Sequence, residues 1–168
     1  MTELDLEEKI LDSLSSSIQS KNIGGLWGKD STEEAYDKMI VRCVVNPIQT
    51  VDNKIKKSTI EIILAVRKEC DIEGTIFSNA SKELLELVNG WENNYKKSVD
   101  ELSCSSFVPC PQYIVGSDGK LEITSSPLNN LNTQAEYDAT NNASILKCSF
   151  DLYGIEPTVI EEPTQSNN

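Results

Sequence analysis

The chain has 168 residues, 38% of them hydrophobic, and a formal net charge of -12. That suits one domain of ordinary size with a real core, and the charge sets nucleic-acid backbones against most of its surface. Histidine is absent, which excludes Ser-His and Cys-His nucleophile pairs and every zinc site built on imidazole.

Two uses of the acidity stay open: a wall to which DNA does not stick, or a face for a basic partner. The start, Thr2-Glu3-Leu4-Asp5-Leu6-Glu7-Glu8, is acidic. It lacks the basic, then apolar, order of a signal peptide, so the expected setting is a cytoplasm. There the Asn-Ala-Ser sequons at Asn79 and Asn142 carry no meaning. The cysteines, Cys43, Cys70, Cys104, Cys110 and Cys148, are odd in number and form no C-x-x-C pair. Reduced thiols are the simplest reading, although Cys104 and Cys110 are close enough in sequence to invite a disulfide.

The first element is a helix over residues 3–20, with Leu6, Ile10, Leu14 and Ile18 every fourth residue and Thr2 as its cap. A loop from Asn22 to Asp37 carries Trp27 between glycines. Met39–Val45 reads as a buried strand stopped by Asn46-Pro47. A polar link containing Lys54, Lys56 and Lys57 leads to a second strand, Thr59–Lys68, whose one face is strongly apolar and the other mixed. The two strands are expected to pair. A second helix is predicted over Ala80–Lys97, capped by Ser78 or Asn79, with a stripe of Leu84, Leu87, Val88, Trp91 and Tyr95. Phe107–Val115 is interrupted by Pro109 and Pro111, which places its start at a sheet edge. Gly116-Ser117-Asp118-Gly119 turns it into Lys120–Ser125. Residues 127–142, rich in Asn, Thr and Gln, read as a long loop, and Ser144–Tyr153 as the last strand. The expected fold is α+β: a mixed, mostly antiparallel sheet with two main helices packed on one face. Residues 1–155 form the domain and 156–168 an acidic extended tail.

The motifs that carry chemistry are missing. Gly24-Gly25-Leu26-Trp27-Gly28-Lys29-Asp30 fails as a phosphate loop, because three residues separate its glycines, Asp30 follows the lysine and a helix precedes it. The many carboxylates show no spacing that singles out a pair, and there is no calcium loop. Cys43 and Cys148 sit on apolar strand faces and read as core, not nucleophiles. No catalytic, metal or cofactor residue is therefore expected, and the chain is read as a non-enzyme. The candidate interface residues are Trp27, as an anchor, and the basic cluster Lys54, Lys56 and Lys57, which suits the acidic surface of a neighbouring copy. A solvated loop and a turn are the plainer readings of the same residues.

The order of elements resembles the tail terminator, or tail-completion, proteins of long-tailed bacteriophages. The matching features are the first helix (Leu6, Ile10, Leu14, Ile18), the strands Met39–Val45 and Thr59–Lys68 joined by an arm, the second helix (Leu84, Leu87, Val88, Trp91) and the terminal strand from Ile145 to Tyr153. The likeness is one of pattern over residues 4–155, without a signature motif. It implies a virion protein assembled in the host cytoplasm as a ring, usually of six copies, that caps the tail tube and joins it to the head connector. DNA would slide through the acidic lumen without specific binding, no membrane would be involved, and residues 46–58 and 127–142 would be contact arms. The hairpin with Pro109 and Pro111 and the Asn-rich stretch depart from that pattern. An alternative is a small acidic adaptor or inhibitor of a basic protein. A carboxylate-based enzyme is a third reading, which needs two or three acids converging in a cleft.

Overall fold

The computed structural model describes residues 2–14, 21–23, 39–52, 55–111, 113–115, 118–119, 121–123 and 126–157, with backbone alone for 21–23, 52, 113–115 and 121–123. Trp27 and Lys54 lie outside these residues, as does the tail beyond 157.

The chain builds helix α1 (Thr2–Asp12), strands β1 (Lys21–Ile23), β2 (Met39–Val45), β3 (Gln49–Asp52) and β4 (Ile55–Arg67), a short 3-10 turn, and helices α2 (Thr75–Asn93) and α3 (Tyr95–Leu102). Strands β5 (Val108–Pro109), β6 (Tyr113–Val115), β7 (Leu121–Ile123), β8 (Leu128–Asp138) and β9 (Ala143–Ile155) follow. The fold is α+β. Its spine is the antiparallel pair β4–β9, in unbroken register from Ile55 opposite Ile155 to Arg67 opposite Ala143. Each spine strand is flanked in two pieces. Beside β4 lie β3 at its start and then β2; beside β9 lie β8 and then β5 at its end. Strand β1 adds to β2 in parallel, which makes the seven-stranded sheet mixed but mostly antiparallel, and β6–β7 is a separate ribbon.

The period-two pattern of β2, β4 and β9 sends Val41, Cys43, Ile62, Leu64, Cys148 and Phe150 to one side. There they meet Leu6 and Ile10 of α1 and Leu84, Val88 and Trp91 of α2, all fully or almost fully buried. Both main helices therefore cover the same side of the sheet. Trp91 stacks edge-on against Phe150, with centroids 6.4 Å apart, and its indole donates to Glu101 at 2.8 Å. The far side is apolar at one end, where Ile40, Ile63, Ala65, Ala143 and Ile145 form a second buried cluster. With Lys57, Thr59, Glu61 and Arg67 of β4 also on it, this side is mixed, as the sequence of β4 indicates.

Several expectations need correction. The helix expected over 80–97 is two helices. It begins at Thr75, because both oxygens of Asp71 accept from the amides of Ile76 and Phe77 at 2.9 Å. It breaks at Asn94, whose extended backbone and side chain cap α3 through the Lys97 amide. The link holding Lys56 and Lys57 is not a loop: both residues belong to β4, with β3 folded back on them. The stretch 127–142 is mostly strand β8, paired with β9 along its length. Its asparagines instead serve local geometry, since Asn130 and Asn142 adopt positive φ of 56° and 49° at a bulge and a turn. Pro109 does lie at the sheet edge, opposite Gly154. All five cysteines are free; Cys43 and Cys148 are buried, with burial pushing the Cys43 thiol far up and that of Cys148 to about 11.

Candidate interaction surface

The end of the spine nearest β3 and β5 presents a surface built by register. Ile55 lies opposite Ile155, which lies opposite Val108, so the three share one row on the side away from the helices. The next row holds Lys57 opposite Tyr153. Ile155 is 38% exposed and Val51 of the adjoining β3 is 52% exposed, while Ile55, Val108, Lys57 and Tyr153 are half-buried. The row is apolar and partly uncovered, with a cation beside it, and grouped exposed apolar residues of this kind are candidates for an interaction surface.

The two described lysines of the predicted cluster part company here, because neighbouring strand residues face opposite ways. Lys56 points to the helix side, where its Nζ lies 3.2 Å from Glu156 Oε2. Lys57 points to the apolar row, and among the described residues no carboxylate pairs with it. The structure thus joins Lys57 to Ile55, Tyr153 and Ile155. Ile155 was not legible as part of this surface, because the last strand predicted from the sequence ends at Tyr153.

On the helix side, the outward residues of α1 include Asp5, Glu8 and Asp12, with Lys9 among them. Two further carboxylates of α1 turn inward and grip the β2–β3 corner. Glu7 Oε1 accepts from the Val45 amide at 3.1 Å and Glu3 Oε2 from the Ile48 amide at 3.0 Å. Burial raises the Glu7 pKa, while the hydrogen bond from Ile48 lowers that of Glu3. They stand one turn apart on the helix and hold the corner that leads into β3.

At the opposite end, Lys68 lies 4.8 Å above the Tyr137 ring, Lys147 pairs with Glu136 at 2.9 Å and Ile72 is 92% exposed. A shallow hollow there, with a volume of about 360 Å³, is lined by Ile63, Ile145, Glu136 and Lys147. Among the described residues, no group of three or more Cys, Asp or Glu side chains converges as metal ligands would, and no helix is long and apolar enough to cross a membrane. No family model and no curated protein sequence matches this chain.

Proposed function

We propose that the chain is a non-enzymatic structural component of a phage virion, forming a ring at the junction of tail and neck that caps the tail tube and joins it to the head connector. The observation that carries this reading is the row Ile55, Ile155 and Val108 with Lys57 beside it, which no carboxylate among the described residues pairs with, on a chain of charge -12. Such a patch fits an acidic surface elsewhere on a second copy, and the outer face of α1, with Asp5, Glu8 and Asp12, supplies one. A contact between two different patches is head-to-tail, and head-to-tail contacts form a ring where the rotation from copy to copy closes, and a filament where it does not. The acidity then acts twice: it receives Lys57, and it repels the DNA that slides through the lumen.

The test is the mass of the purified chain, alone and with tail tube protein, with imaging of any particle formed. A closed ring is expected, and Lys57→Glu should dissociate it, more readily at low salt. The pair Lys57→Glu with Glu8→Lys should restore part of the assembly. A strict monomer that never joins tubes overturns the reading; a monomer that captures one basic protein, and loses it at high salt, supports the adaptor instead.

A further inference from the structure

Strand β8 is a sheet edge with few of the usual protections along its regular run. From Asn132 to Asp138 it pairs regularly with β9 on its inner side, and among the described residues no strand pairs with its outer side. Natural edges are guarded by lysine, proline or bulges. The run Asn132-Thr133-Gln134-Ala135-Glu136-Tyr137-Asp138 contains no lysine and no proline. Its bulge lies outside it, between Asn129 and Asn132. The one charge in mid-run, Glu136, is already matched by Lys147 at 2.9 Å. Thr133, Ala135 and Tyr137, on the helix side, and Gln134 and Glu136, on the far side, are all exposed. Both sides of β8 are therefore exposed, and among the described residues no strand pairs with its outer edge.

We propose that β8 is a self-pairing edge, through which two copies of this chain join antiparallel into one continuous sheet with Ala135 on the two-fold axis. The register follows from the strand itself. The bulge ends the regular run on one side and the turn after Asp138 ends it on the other, so full overlap of the run centres on Ala135. In that register Glu136 faces Gln134 of the second copy, Asp138 faces Asn132 and Tyr137 faces Thr133. No carboxylate opposes a carboxylate, whereas a shift that centred the axis on Glu136 would set two against each other. The pairing would also complete the outward backbone groups of β8, which is the source of affinity in strand addition. This contact is isologous, so it makes pairs and is independent of the head-to-tail contact proposed above. If both operate, two rings join back to back.

The experiment is sedimentation of the full chain and of the variants Ala135→Lys and Ala135→Glu. Ala135 is exposed in the single chain, so both variants should fold, which circular dichroism checks. Each variant should weaken the pair by up to about fivefold at low salt, because like charges meet at the axis, and an equimolar mixture should regain a heteropair. In the Lys57→Glu background, which disables the ring contact, the wild-type β8 pair should persist, so failure of one contact is distinguishable from failure of the other. A chain that shows no pairing in that background, or pairs that Ala135→Lys and Ala135→Glu leave unchanged, overturns the proposal. Strand addition by a different protein would appear as wild-type chain that never self-pairs, and counts against it.

Discussion

Replacing Gly154 by alanine sets two known effects against each other. The glycine sits in β9, buried, beneath the fully buried ring of Phe107. A Cβ there would lie 2.4 Å from Phe107 Cζ and 2.6 and 2.7 Å from the two Cε atoms. Gly154 is not among the glycines at positive φ, so its backbone accepts alanine and the unfolded chain would lose entropy, a gain of about 0.4–1 kcal/mol. The collision is with a ring that has no free space, and overpacking of this kind costs about 1–3 kcal/mol. The collision should win. Gly154→Ala is expected to lose about 1–2 kcal/mol net, which for a urea slope of about 1–3 kcal/mol/M moves the unfolding midpoint down by roughly 1 M. The decisive measurement is a double-mutant cycle with Phe107→Ala, or with Phe107→Leu where the larger deletion leaves too little native state. Phe107→Ala alone should cost about 3–5 kcal/mol. In its background the added methyl meets open space, so Gly154→Ala should become neutral or stabilising. Equal costs in both backgrounds, or a Gly154→Ala chain as stable as the wild type, would refute the reasoning.

Asp71→Ala should destabilise by about 1–2 kcal/mol in chemical denaturation, because two amides in the first turn of α2 lose their acceptor; Asp71→Asn should recover part of this. Glu7 and Glu3 respond to pH in opposite senses. The Glu7 pKa is raised on folding, so the stability linked to it is present below the ordinary value of 4.5 and is lost as pH rises through the folded value. Glu7→Gln, which keeps an acceptor for the Val45 amide, should therefore match or exceed the wild type at neutral pH, with the gain vanishing below pH 4.5. The Glu3 pKa is lowered, so its contribution is present above the ordinary value and lost as pH falls through the folded one; Glu3→Gln should flatten that acid limb of the stability profile. Thiol labelling of the native chain should leave Cys43 and Cys148 unmodified until unfolding, while the half-buried Cys70, Cys104 and Cys110 react first.

The amino-acid sequence alone determined the parts whose signal is hydrophobic period. Leu6, Ile10 and Leu14 mark α1, Leu84, Val88 and Trp91 mark α2, the apolar run Met39–Val45 marks β2, and the alternation through β4 and β9 marks the spine, because burying those side chains is what stabilises each element. The core role of Cys43 and Cys148 was legible for the same reason. The tertiary structure decided what neighbours supply instead of burial. Strand β8 is polar on both sides and is held by its ladder to β9, so no pattern within Asn129–Asp138 announces a strand. Asp71 caps a helix that starts four residues after it, and Asn94 ends that helix inside a stripe from Leu84 to Tyr95 whose helical period runs on past the break. Lys56 and Lys57 look alike in sequence, yet one meets Glu156 and the other the row of Ile55 and Ile155. Which of two adjacent side chains faces a partner depends on the register of β4 against β9, and register is a property of the assembled sheet.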